Sequence, residues 1–584
     1  MRFIYASIAL TFMAIGPAHA DKIDDVIQAE MQRRQIPGLS LAIVEGGKIV
    51  KAKAYGVTEK GSKVAVTPNT LFQAGSVSKP VAAMAALHWV EQGKLGLDED
   101  VNSKLTTWKV PATEYTREKK TTLRSILSHS AGLTVHGFGG YAKGAPVPGL
   151  VQVLNGAAPA NSAPIVVDIY PNGQIRYSGG GYTVMQQLLL DVTGQPFPAL
   201  MQNSVLGPLG MTHSTYQQPL PADKHAQAAL GHDNTRRKVA GGWHTYPEMA
   251  AAGLWTTPTD LAKLALGMQA MLHPNPDAKA NAKSVLSSSM AQQMLTPQSE
   301  QAGLGFFLKP PQEFGHGGRN EGFDTQFTAT RDSGQAAVIM INTNDNSGMM
   351  GRIIAAISSQ YQWPGSSSAP LASKTPRVKL ANAVLERYNG YYEVGNGNLL
   401  PVARNGKLLQ TYSDGLPDET WAPASELRFV ATQGQSELSF VPDEQQSGMV
   451  LIQNARGHNQ KMDRISPLLK ALKPKTGSAS ARIDAIKNTL LALAQGGAAI
   501  SQAALLAPNT QADFKNSTMS EFANLTGLSL LYEGDVRLTR HNTQVNKILG
   551  FKMQWSQTAA GSGEYVLVYL TAEGLMADLD VVTQ

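Results

Sequence analysis

Ser76-Val77-Ser78-Lys79, followed at once by the apolar stretch Pro80-Val81-Ala82-Ala83-Met84-Ala85-Ala86-Leu87, sets a hydroxyl and an amine one turn apart at the start of a helix. At a helix N-terminus the backbone N–H groups and the macrodipole favour developing negative charge. A lysine withdrawn from water can lose its proton near neutral pH and take the one from a serine. The pair therefore points to acyl transfer through Ser76 with Lys79 as base, without a histidine triad.

Such chemistry also needs a proton donor for the leaving group and donors for the oxyanion. Tyr177, in Arg176-Tyr177-Ser178-Gly179-Gly180-Gly181-Tyr182, follows a glycine-bearing turn and precedes the helical run from Thr183 to Val192. A phenol there would pass a proton between Ser76 and the departing group, its pKa lowered by a nearby ammonium. His316-Gly317-Gly318 is expected to open a late hairpin, where glycines let a substrate lie against the backbone. The N–H groups of Arg319 and Ser76 would then form the oxyanion hole, Gly318 would give the close approach, and His316 would face the substrate.

Ser76-x-x-Lys79, Tyr177-Ser178 before a helix, and His316-x-Gly318 on a late strand, in that order, resemble the serine β-lactamase and penicillin-binding protein superfamily. More narrowly they resemble its class C-like branch of esterases, D-aminopeptidases and D-alanyl-D-alanine carboxypeptidases. Thr122 to Leu133 and Ala252 to Leu261 are similar to further segments of that family, so the likeness runs over roughly residues 25–360. It implies an acyl-enzyme at Ser76, with Lys79 and Tyr177 as the acid/base pair. Two departures shape the expected substrate. Gly179 stands where the family has an asparagine amide, and His316-Gly317-Gly318 stands where penicillin-recognising members have Lys-Thr-Gly. Both favour esters, D-amino-acid amides or short peptides over ligands held by a carboxylate clamp. A D-alanyl-D-alanine carboxypeptidase or weak β-lactamase is the alternative, and a catalytically inactive protein binding cell-wall fragments is an alternative of another class. By the same logic Gly179→Asn is expected to raise affinity for penicillin-like ligands.

The elements that must hold these residues form an α+β arrangement. Asp24 to Gln35 has helical spacing. Leu39 to Val44 and Ile49 to Tyr55 read as a hairpin, matched far downstream by Gly322 to Thr330 and Gln335 to Thr343, with a helix from Met350 to Tyr361. An antiparallel sheet built from both ends, with a helical insert carrying the serine, is expected over residues 21–363 as a β-lactamase/transpeptidase-like domain. Linker composition follows at 364–380. Short alternating runs over 381–467 predict a small antiparallel β-barrel or sandwich, and residues 478–584 read as a separate α+β module. Specificity is expected to lie in loops such as Val135 to Pro148.

The chain has 584 residues, enough for several cores, and a formal charge of +6 spread without long basic runs, which gives a nucleic-acid role little support. Residues 1–20 read as a secretory signal: Arg2, an apolar run from Phe3 to Ile15, Gly16-Pro17, then Ala18-His19-Ala20. A periplasmic or secreted protein with no membrane span is expected, because Leu490 to Ala507 is broken by Gln495, Gly496, Gly497 and Gln502. There is no cysteine, no H-E-x-x-H and no carboxylate pair at ligand spacing, so neither metal nor other cofactor is expected. No serine sits in G-x-S-x-G, which argues against an α/β-hydrolase. His129, in Leu127-Ser128-His129-Ser130, reads as a buried histidine that satisfies backbone groups.

Overall fold

A computed structural model of the chain describes residues 22–494, with breaks at 173–174, 275–283, 300, 310–311, 365–375, 396–397, 433–435, 444–447, 456–457, 470–471 and 474–479. Beyond these it describes residues 505, 507 and 525–582, with breaks at 541–542 and 556–564. The signal read at 1–20 and most of the linker read at 364–380 lie outside the described residues.

The first unit is built on a six-stranded antiparallel sheet. Its order in space is Lys48–Gly56, Gly38–Glu45, Ala336–Ile341, Phe323–Thr330, Glu313–Asn320, Phe307–Lys309. The beginning and end of this unit thus meet at the centre of the sheet, with Leu39 paired to Ile341 and Val44 to Ala336. Gly38–Glu45 is apolar almost throughout because both faces are covered. Alternate residues face opposite ways. Leu39, Leu41 and Ile43 pack with Ile27 of the helix Lys22–Arg34 and with Ile353 and Ile357 of the helix Met349–Gln360. Ala42 and Val44 join the larger core with Leu261, Leu264 and Ala265 of the helix Pro258–Leu272.

Between the two halves of the sheet runs the helical insert. Its central helix, Ser78–Glu91, is buried from Ser78 to Leu87, which is why that run is all small or apolar apart from Ser78 and Lys79. The helix Gly179–Thr193 begins four residues before the expected Thr183. Ser178 caps it by accepting from Gly181 N–H at 2.8 Å, while Gly179 and Gly180 N–H donate to the carbonyls of His136 and Val135. His316 to Gly318 lie in the strand Glu313–Asn320, the first arm of a hairpin paired residue by residue with Phe323–Thr330.

Beyond the short helix Asn382–Glu386, eight strands from Gly390 to Ser466 close into an antiparallel barrel. The barrel is filled by its own side chains, among them Tyr392, Trp421, Phe429, Phe440 and Leu451. Its Ser413–Leu416 hairpin turns on Asp414 (φ 52°) and Gly415 (φ 70°), the left-handed pair that an Asp-Gly turn supplies. That turn docks on the first unit. Arg34, fully buried, donates to Asp414 Oδ2 at 3.1 Å, Ser413 O at 2.9 Å and Leu416 O at 3.0 Å, and to Asp345 Oδ1 at 2.9 Å.

The last unit is a four-stranded antiparallel sheet, Leu525–Arg540, Thr543–Trp555, Tyr565–Leu570 and Met576–Val582. The helix Ala481–Ala494 covers one face through Ile483, Ile486 and Leu490. Ile548, Leu567 and Tyr569 on the other face meet Tyr391, Ile465 and Leu469. Among the described residues no helix is long and apolar enough to cross a membrane.

Candidate active site

Ser76 lies in a single 3-10 turn, Gly75–Val77, that runs directly into the helix Ser78–Glu91. Gly75 has φ 52°, and a Cβ there would come within 2.4 Å of Arg319 N, so the turn can form against the strand Glu313–Asn320 only with glycine. Gly318 answers it from the other side, since a Cβ at 318 would lie 2.0 Å from Ala74 O. The backbone around Ser76 and that of Gly318–Arg319 are thereby pressed together. Ser78 braces the same turn: its hydroxyl donates to Gly75 O at 2.6 Å and accepts from Leu254 N at 3.0 Å.

Lys79 is buried, and its Nζ is 2.9 Å from both Ser76 Oγ and the carbonyl oxygen of Ala251. The same nitrogen sits 4.9 Å from the centre of the Tyr177 ring and 5.7 Å from that of Tyr182. Burial disfavours the ammonium and brings the Lys79 pKa down to about 7. The amine is therefore poised to exchange a proton with Ser76.

Tyr177 stands over this pair in a ring of aromatic and imidazole groups: His129 at 4.3 Å between ring centres, His136 at 4.8 Å, Phe307 and His316 each at 6.1 Å. Its pKa departs from expectation. The ammonium was expected to lower it, but burial pushes the phenol well above its usual value, and the hydrogen bond with Ser76 offsets only part of this. Tyr177 is thus held as a protonated phenol while Lys79 is near its titration point.

His316 is buried, and burial followed by the charge of Lys79 brings its pKa down to about 3. Neutral at any ordinary pH, it donates to Gly317 O through Nδ1 at 2.5 Å and leaves Nε2 without a hydrogen-bond partner among the described residues. Arg319 contributes differently. Its backbone lies against Gly75, but its side chain is spent on a bidentate pair with Asp324 at 2.7 and 2.6 Å and on Asn346. Ser76, Lys79, Tyr177, His316 and Gly318 are brought together, whereas the Arg319 guanidinium is directed to Asp324.

Several contributors carry no motif of their own. Asn320 braces the site by donating to Gln73 Oε1 at 2.9 Å and Ala252 O at 3.0 Å. The Ala251 carbonyl and the rings of His136 and Phe307 are likewise invisible to residue spacing. His136 falls in the loop expected to set specificity. The others become visible only when the sheet and insert are assembled.

The chain's similarity to known proteins accords with this geometry. The family model described as Beta-lactamase matches residues 23–361. Protein flp of Staphylococcus aureus (strain N315) is 26% identical over 218 residues, 36% of this chain and 41% of that protein. The match thus spans about two fifths of the length of that relative. PbpX of Bacillus subtilis (strain 168) is 25% identical over 318 residues, 53% of this chain and 72% of its own length. Among solved structures, the octameric penicillin-binding protein homologue from Pyrococcus abyssi superposes with a TM-score of 0.52 at 19% identity. It covers 76% of this chain and 99% of its own, a likeness of fold.

Proposed function

The chain belongs to the beta-lactamase family, and from that premise we propose that it is a serine hydrolase acylated at Ser76, acting on esters, D-amino-acid amides or short peptides. The observation that carries this reading is the 2.9 Å contact between Lys79 Nζ and Ser76 Oγ at a buried amine whose pKa is about 7. As neutral amine, Lys79 takes the Ser76 proton while Oγ bonds to the substrate carbonyl carbon. The N–H groups of Ser76 and Arg319 stabilise the oxyanion. Tyr177, a protonated phenol beside both groups, gives its proton to the leaving atom and recovers one from Lys79. Water then hydrolyses the ester on Ser76 by the same route in reverse.

The charges around the site support that substrate class. His316 is neutral, Lys79 is committed to Ser76 and Ala251, and Arg319 is spent on Asp324, so these groups do not form a clamp for a free carboxylate. Uncharged acyl groups suit such walls better than penicillins or peptides with a terminal carboxylate. Export to the periplasm or medium belongs to the same proposal and is supported by the signal-like composition of residues 1–20.

The test is intact-protein mass after incubation with a fluorophosphonate, a penicillin and a p-nitrophenyl ester, beside Ser76→Ala. Adducts or turnover confined to the unmutated serine support the hydrolase, with the ester or phosphonate reacting fastest. A penicillin that reacts fastest replaces the substrate class with that of a penicillin-binding protein. Absence of every adduct overturns the reading in favour of a binding protein.

A further inference from the structure

We infer that His129 is a positioning residue for Tyr177, holding the phenol over Ser76 and Lys79 by gripping the chain on both sides of it; the inference rests on the acid/base role proposed for Tyr177. Three contacts converge. The N–H of Arg176 donates to His129 O at 2.8 Å, and the N–H of Ser178 donates to His129 Nδ1 at 3.1 Å. Between those two anchored amides, the Tyr177 ring lies 4.3 Å from the His129 ring at an interplanar angle of 31°. The residue before Tyr177, the residue after it and its own ring are all fixed by one side chain and its carbonyl.

The arrangement carries a cost that an apolar packing residue would avoid. His129 adopts φ 57°, a left-handed backbone in which His, with Asn and Asp, is found more often than other non-glycine residues. Because Nδ1 accepts from Ser178, the ring proton is on Nε2, and that buried atom has no hydrogen-bond partner among the described residues. A phenylalanine would fill the same space without an orphaned donor, but it would release the Ser178 amide. Burial, with Lys79 second, holds the His129 pKa well below its usual value, so Nδ1 remains an acceptor throughout the neutral range. Phe307 stacks on the far aromatic wall at 6.0 Å from His129, and Tyr182 flanks it at 5.3 Å, so the imidazole cannot swing away without dislodging both.

The test is a double-mutant cycle on the full chain. His129→Asn keeps a residue that tolerates the left-handed backbone and offers an oxygen where Nδ1 sits, but removes the ring. His129→Ala removes ring and acceptor together. With D-alanine p-nitroanilide and p-nitrophenyl acetate as probes, kcat is expected to fall about tenfold for His129→Asn and about a hundredfold for His129→Ala, with KM within about twofold. In a Tyr177→Phe background each is expected to cost less than about twofold, because the group being positioned is gone. Losses of equal size in both backgrounds, losses seen in KM instead of kcat, or no loss would overturn the inference. So would the loss of cooperative melting in both His129 variants, which would make the residue a folding determinant. If Tyr177→Phe alone leaves kcat unchanged, it is the acid/base role of Tyr177 that has failed, and the inference falls with it.

Discussion

Lys79 Nζ lies 2.9 Å from the carbonyl oxygen of Ala251, so the buried amine has a fixed acceptor on one side and the Ser76 hydroxyl on the other. A carbonyl dipole orients the amine without the full negative charge that would keep it protonated. This is consistent with a pKa brought down to about 7 by burial.

The pH dependence of turnover follows. A base must be deprotonated, so kcat/KM for an ester is expected to rise about tenfold per unit below pH 7 and to level off above it. Lys79→Arg keeps its proton at every accessible pH and is expected to lose on the order of 10⁴-fold in kcat. A pH–rate profile between 5 and 9 on both proteins checks this, and a flat wild-type profile would remove Lys79 from the role of base.

Much of this was legible in the residues because the apolar segments are strongly written. Short continuous apolar runs in Leu39 to Val44 and Gln335 to Thr343, bounded by turn residues, mark buried strands, and the Ala-rich run after Ser76 marks the helix that carries the serine. His316-x-Gly318 was legible as part of a late strand, but why glycine stands there, in a strand with few β-branched residues, was not. Glycine is demanded there by the Ala74 carbonyl, a contact between residues more than two hundred positions apart. The early start of the helix Gly179–Thr193 was hidden for a similar reason, since three glycines oppose a helix locally and only the carbonyls of Val135 and His136 make it affordable. The direction of the Tyr177 shift was missed because burial, which sequence does not report, outweighs the neighbouring amine.

Gly179 yields a second prediction, opposite to the one drawn from the family pattern. A Cβ at 179 would lie 3.0 Å from His136 O and 3.1 Å from the Phe138 ring, and the Gly179 N–H is itself bonded to that His136 carbonyl. Restoring an asparagine side chain must therefore displace the loop that carries His136 past Tyr177. Gly179→Asn is expected to slow acylation by penicillin and ester alike, by about tenfold or more. Stopped-flow acylation rates check it, and faster reaction with penicillin would show that the loop yields easily.

The docking of the barrel on the first unit gives a third. Removing the Asp414 carboxylate leaves Arg34 buried with Asp345 as its remaining acidic partner, and frees the Asn346 N–H that Asp414 accepts at 2.8 Å. Asp414→Ala is expected to cost about 3 kcal/mol in the unfolding of this interface. Asp414→Asn, which tolerates the left-handed turn and keeps an oxygen for Arg34 and for the Asn346 N–H, is expected to lose less than Asp414→Ala. Denaturant titrations of the three proteins decide the matter. An unchanged midpoint for Asp414→Ala would mean that the pair does not hold the barrel.

Glu248 gives the last prediction, on stability. It is fully buried at the start of the short helix Met249–Ala252, whose Ala251 carbonyl meets Lys79, and neither of its carboxyl oxygens has a hydrogen-bond partner among the described residues. Burial raises its pKa from 4.5 to about 7. Below pH 4.5 both folded and unfolded chains hold the proton, and the carboxyl imposes no pH-dependent cost. From 4.5 to 7 the unfolded chain releases its proton while the native one keeps it, so stability falls as pH rises, and above 7 the loss is complete at about 3 kcal/mol. Glu248→Gln cannot ionise, and its melting temperature relative to the parent should climb across that window and stay constant beyond it. The amide's own burial shifts the whole curve without changing its slope, so the slope is the readout. Parallel melting curves for the two proteins from pH 4 to 8 would show that the Glu248 carboxyl does not keep its proton in the folded chain.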